Sequence, residues 1–166
     1  KIDSIAYLPV QDFGNGFATY VAQNKGAKKY ERISQGVKSS VKTIIVFCAI
    51  LTVLIYINSH NLMRIFVKKE EINVIKLGVE YLSVISIFYV LIGFLFMFYG
   101  YFRGIGALSV SLFLTIISLG TRVLLAYLLS AIPAVGQRGI WWSIPIGWII
   151  ADIIAVFIYK NRKSIL

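Results

Sequence analysis

Three ionisable residues stand inside long apolar runs of this sequence: Asp12, Arg122 and Asp152. Holding an ionised group near the centre of a bilayer costs several kcal/mol, so each is a candidate for function. Asp12 lies about ten residues from either end of its run, which at 1.5 Å per residue places it near the middle of a membrane. At helical spacing it continues into Asn15, Thr19 and Gln23, with Gln11 at the edge of the same stripe. Such a stripe belongs against water or a polar partner rather than lipid. It either lines a cavity or ion path, or pairs across a bundle and specifies packing. Pro9, one turn earlier, withholds a backbone hydrogen bond and leaves a carbonyl free beside the carboxylate. Arg122 lies towards one end of its run, where it either borders a pathway or snorkels and binds backbone carbonyls. Asp152 is about two turns from Lys160, within reach of the nearer interface.

Catalytic chemistry finds no foothold. His60 is the single histidine, no Ser-His or Cys-His constellation is present, and the carboxylates Asp12 and Asp152 belong to different runs. The lone Cys48 sits within VFCAIL, which reads as a buried structural thiol and permits neither an internal disulfide nor a cysteine metal motif. No cofactor and no metal site is expected, and the chain does not read as an enzyme.

The elements that must position these residues follow from composition. Of 166 residues, 58% are hydrophobic and 14% charged, and the mean hydropathy is +0.81. That balance lies outside the range of soluble domains and defines an all-α, polytopic membrane helix bundle. The net charge of +10 does not indicate nucleic acid, because Lys and Arg lie between apolar runs rather than on a soluble face. A membrane-spanning helix needs roughly 20 mostly apolar residues, and five runs qualify, at about 2–22, 41–58, 81–102, 107–132 and 140–159. The first is weakly hydrophobic and would fail a hydropathy threshold alone. The second has a short apolar centre and must borrow Ser39-Ser40 and Asn58-Ser59 or tilt little.

Lys25, Lys28, Lys29, Arg32, Lys38 and Lys42 after the first span, Arg103 after the third, and Lys160, Arg162 and Lys163 in the tail fall on one side. The positive-inside rule makes that side cytoplasmic, so Lys1 starts outside and Leu166 ends inside. The absence of an initiating Met and the outside start lead to the expectation of a longer natural polypeptide. A basic cytoplasmic loop is expected at 24–40. An external elbow, an interfacial helix-turn-helix, is expected at 60–78. YFRGIGAL, with Gly104 and Gly106, reads as a tight hairpin turn, and Trp141 and Trp142 as interfacial anchors. Gly14, Ala18 and Ala22 form a small-residue ridge that lets another helix approach closely.

IDSIAYLPVQDFGNGFATYVAQNKGAKKYERISQG resembles the eighth helix and following cytoplasmic loop of the multidrug and toxic compound extrusion (MATE) family, where a P-x-x-x-F-G run leads to QN-x-GA-x-K-x-x-R. The likeness continues through LMRIF, GVEYL, GYFRGIGAL, RVLLAYLLS and GIWWSIPIGW. The resemblance implies a twelve-helix cell-membrane transporter of two six-helix lobes, exporting drugs or metabolites against Na⁺ or H⁺ by alternating access. This chain would be helices eight to twelve of the C-terminal half. Its implied partners are the lipid bilayer, the N-terminal lobe of the same polypeptide and small organic, cationic substrates. IFYVLIGFLFM lacks the mid-helix carboxylate that some members carry there, so the resemblance assigns no ion ligand. Two other readings remain: a lipid-linked saccharide flippase of the same superfamily, which would favour a basic cavity although the span interiors offer only Arg122, and a non-transporting membrane scaffold.

Overall fold

The computed structural model describes residues 2–133 and 135–163; the expectations placed on Lys1, on Leu166 and on the side chains of Arg162 and Lys163 lie outside the described residues. Its elements are the helices α1 (Ile2–Gly26), α2 (Tyr30–Phe66), α3 (Ile72–Ile87), α4 (Tyr89–Gly104), α5 (Leu108–Ser130) and α6 (Gln137–Lys163). No strand occurs among the described residues. At 1.5 Å per residue α1 is about 38 Å long and α2 about 55 Å, both enough to cross a hydrocarbon core of about 30 Å.

Three helices, α2, α5 and α6, are by themselves long and apolar enough to span a membrane, and α3 with α4 makes a fourth crossing bent by 53°. Of the five expected spans the third is thus two helices joined at a bend. Helix α1 falls short of the hydropathy threshold, as its Pro, Asp and Gly residues foretold.

The break between α3 and α4 has identifiable donors. Phe88 N–H bonds to Ile85 O at 2.9 Å and Leu91 N–H to Phe88 O at 3.0 Å, both over three residues rather than four. Two side chains one turn apart on α2 reach the loosened backbone: Thr52 Oγ1 donates to Ser86 O at 2.6 Å and Cys48 Sγ to Tyr89 O at 3.5 Å. In an apolar surround such donors make a helix interruption tolerable, because the freed carbonyls stay paired.

Helix α4 is the hub, with Tyr89, Leu95, Met97, Tyr101 and Phe102 almost wholly buried. Its closest neighbour is α1. A Cβ on Gly14 would lie 2.6 Å from Phe96 O, and one on Gly104 would lie 2.6 Å from Ala18 O; Gly100 is backed directly onto Gly14 O. The Gly14/Ala18 ridge thus does what small residues at i, i+4 permit, meeting a matching Gly100/Gly104 pair. Ala22 stays exposed. Gly104 serves this contact rather than the turn, which instead turns on Gly106 at φ +77°, a conformation glycine adopts without strain. Helices α5 and α6 form a hairpin in which Gly147 backs onto Ser118 O and Gly139 onto Leu129.

The connections are tighter than the sequence reading had them. The basic stretch at 24–40 is helical apart from a turn at Ala27–Lys29. Lys29 N–H closes onto Asn24 O at 2.8 Å and Lys28 takes φ +57°. The stretch at 60–78 is a helix-turn-helix whose arms belong to the long helices: α2 runs on to Phe66 and α3 begins at Ile72. Lys25 Nζ donates to Ile105 O at 2.5 Å, so the basic turn after α1 and the Arg103 turn share one end of the molecule. Arg138 and Glu80 pair at the other end, 3.7 Å apart.

Candidate functional site

Two polar regions lie at membrane depth, one on the surface of α1 and one inside the bundle. On α1, the buried positions Val10, Gly14, Phe17 and Val21 turn towards α4 and leave Gln11, Asp12, Asn15, Thr19 and Gln23 exposed on the outer side. Asn15 is the one of these joined to another element: Arg103 Nη2 donates to Asn15 Oδ1 at 2.9 Å, while Arg103 Nε donates to Tyr99 O at 3.2 Å. Asp12, Thr19 and Gln23 form an uncovered row. Beside it, α1 and α2 enclose an open cleft of about 510 Å³ lined by Phe13, Phe17, Tyr20 and Ser39 among others. The rings of Phe13, Phe17 and Tyr20 stack in series along it at 6.4 and 6.0 Å.

Of the interior region, the sequence singled out Arg122 and Asp152 but not Asp3 and its tyrosine neighbours. At its outer end Tyr89, with no exposed surface, donates its hydroxyl to Asp3 Oδ1 at 2.5 Å. Tyr81 stands in the field of the same carboxylate. Asp3 and Tyr81 line an open cavity of about 550 Å³ together with Met63, Leu77, Gln137 and Trp141. Further in, the Arg122 guanidinium lies over the Trp148 ring, 5.6 Å from its centre, a stacking that suits a cation withdrawn from water. Its Nε is buried without a hydrogen-bond partner among the described residues. Asp152, one helical turn beyond Trp148, keeps 8% of its surface and neither carboxylate oxygen has a hydrogen-bond partner among the described residues. Tyr99 from α4 faces Thr115 and Ser118 of α5 and lies within the electrostatic reach of both Arg122 and Asp152.

The structure thus turns Arg122 inward onto Trp148 of α6. Asp3 went unread because it opens the least hydrophobic run, next to Lys1. Asp152 was visible as a charge in an apolar run, yet its burial depends on how α6 is rotated against α5. Of the expected interfacial anchors, Trp141 meets Tyr81 edge-on at 5.8 Å, and Trp142, which stays exposed, meets Phe88 at 5.7 Å.

A close-packed helical bundle with a broken span, a polar outer row and a polar interior is a polytopic membrane architecture. The chain belongs to the MATE family, whose MatE pattern matches residues 1–128. It is 22% identical over 171 residues to Probable multidrug resistance protein YoeA of Bacillus subtilis, covering 98% of this chain and 36% of that one. Against Probable multidrug resistance protein YpnP of the same organism it is 28% identical over 165 residues, again 98% and 36%. Among solved structures it superposes on a multidrug resistance MATE transporter of the MOP superfamily in its outward-facing conformation, with TM-score 0.90 at 23% identity over 98% of this chain and 36% of the other. The inward-facing conformation of such a transporter gives TM-score 0.88 at 24% identity, covering 97% and 37%. The chain therefore spans about 36% of the length of the curated relatives it matches.

Proposed function

We propose that this chain forms most of the C-terminal lobe of a multidrug or metabolite efflux transporter, in which alternating access exchanges substrate for Na⁺ or H⁺. The observation that carries this reading is the row Asp12, Thr19 and Gln23, which α1 leaves uncovered at membrane depth, with Asn15 beside it held by Arg103. Elsewhere the lobe presents apolar side chains outward, such as Val46 and Ile50 of α2 and Ile116 and Leu124 of α5, as lipid requires. A second lobe of a longer polypeptide is the partner that would close a water-filled pathway over the row, and the aromatic cleft next to it suits small organic cations. That similar folds are solved facing outward and facing inward supports a lobe that tilts as a unit. The end carrying Lys25 and Arg103 is taken as cytoplasmic, in keeping with the positive-inside rule.

The test is Asp12→Asn in the complete transporter, expressed in a drug-sensitive host at equal abundance. Lowered resistance or dye efflux, by tenfold or more in initial rate, is expected; unchanged efflux would remove Asp12 from the pathway and leave it a packing residue.

A further inference from the structure

The positive-inside rule gives no reason for cations at the end of the molecule that carries Glu80 and Arg138. Arg64, Lys69 and Lys76 nevertheless converge there: with His60 they rim an open cavity of about 490 Å³ between the end of α2 and the start of α3. Ile72, Ile75 and Val79 supply its apolar lining, and it shares no lining residue with the Asp3 cavity. The four basic side chains are exposed. Glu80 is the one carboxylate in the lining, and Arg138 stands 3.7 Å from it. Glu70 and Glu71 lie in the turn between the helices and outside the lining. Among the described residues no ion pair joins Arg64, Lys69 or Lys76 to a carboxylate, so the positive field of the rim is left open.

What the rim faces is set by α2. Val46, Ile50, Val53 and Ile57 are exposed and recur at three- and four-residue spacing, which puts them on one side of the helix. His60 and Arg64 continue the same spacing, so the lipid-facing stripe runs straight into the basic rim. Along the helix axis from Asn58, where the apolar run closes, His60 lies about 3 Å and Arg64 about 9 Å further out. A bilayer carries about 5–8 Å of headgroup region on each side of its hydrocarbon core, and the rim therefore stands at the level of lipid phosphates. Ile72, on the α3 side of the cavity, is 72% exposed and adds apolar surface that water does not cover favourably. A soluble anion would answer the charges alone. An anionic phospholipid answers the charges and the stripe together.

We propose that the groove between α2 and α3 is a docking site for one anionic phospholipid of the leaflet at this end, its phosphodiester held by Arg64, Lys69 and Lys76 and one acyl chain lying along Val46, Ile50, Val53 and Ile57. The Arg64 guanidinium can grip two phosphate oxygens at once, while the lysines add charge without fixed geometry. A zwitterionic lipid carries its own cation into the same field and gains less from it. The bound lipid ties the turn between α2 and α3 to the membrane surface. The site depends only on the membrane-spanning fold; that the leaflet is the outer one rests on the orientation taken for the transporter.

The experiment is native mass spectrometry of the complete transporter, released from nanodiscs that hold phosphatidylglycerol and phosphatidylcholine of the same chains in equal amounts. The wild type is expected to retain one phosphatidylglycerol with at least tenfold preference over phosphatidylcholine. The triple variant Arg64→Gln, Lys69→Gln, Lys76→Gln should lose that preference, and Lys76→Glu alone, which keeps the test open if the triple variant folds badly, should lose it too. Removing three charges at the other end, with Lys29→Gln, Lys38→Gln and Lys42→Gln, should leave it intact. A preference that survives both variants at the rim would overturn the proposal, as would an equal loss on removing the charges at the other end. So would displacement of the lipid by glycerophosphoglycerol as readily as by diacyl phosphatidylglycerol at equal concentration, since the site would then take a soluble phosphodiester. None of these readouts depends on efflux, so failure of this site and failure of the transporter reading can be told apart.

Discussion

The pair Asp3 and Tyr89 joins residues 86 positions apart. Tyr89 has no exposed surface, so its hydroxyl must find a partner within the protein, and the carboxylate of Asp3 accepts it. A hydrogen bond to a charged acceptor contributes about 1.5–3 kcal/mol. Tyr89→Phe keeps the ring and removes that donor alone; the complete transporter is expected to unfold at a temperature several degrees lower, read by thermal denaturation followed by size-exclusion fluorescence. An unchanged transition would mean that water supplies Asp3 equally well. At this scale the sequence was legible where a residue's type settled its fate. Cys48 is buried as its apolar neighbours required, and the row from Asp12 to Gln23 does lie on one side of α1. It was illegible where fate depends on a distant partner. Asp3 reads as a polar lead-in until Tyr89 is folded against it, and Asp152 reads as an interfacial charge until Gly147 lets α6 close on Ser118 and sets its rotation.

At the level of elements the same distinction separates the two halves of the α1–α4 contact. The ridge of Gly14 and Ala18 could be read from spacing, while in its mate, Gly100 and Gly104, the second glycine read as part of a turn because Gly106 lies two residues on. The break at Phe88 has no mark in its own sequence: IFYV holds neither Pro nor Gly. What stabilises it comes from α2, where Thr52 and Cys48 supply donors to the carbonyls of Ser86 and Tyr89. Thr52→Val preserves the branched shape and deletes the hydroxyl, so it should destabilise the protein by about 1–3 kcal/mol, the cost of an orphaned buried carbonyl. Thr43→Val is the matched control. Its hydroxyl bonds only to Ser39 O of its own helix on an exposed face, so denaturation in detergent should show an effect near zero. Equal effects at the two positions would mean that the α2 donor does not sustain the bend.

On the scale of the whole molecule, the distribution of polarity decides what the lobe needs around it. Helices α2 and α5 turn many large apolar side chains outward, among them Val46, Ile50, Ile116 and Leu124, as lipid requires. The uncovered row on α1 is the surface that a second lobe would convert into a pathway, and the proposal makes 1–166 alone incapable of transport. It also makes Thr19 wet and Ile50, 56% exposed on α2, dry. Single cysteines at these positions, placed in a Cys48→Ser background that retains a donor to Tyr89 O, separate the readings of the row left open by its sequence. A membrane-impermeant maleimide applied to the complete transporter should label Thr19→Cys at least tenfold faster than Ile50→Cys, with substrate slowing the first and not the second. If the two react equally slowly, the row packs against protein rather than lining a pathway. The lobe would then act in transport only through its interior, where Asp3 and Asp152 lie.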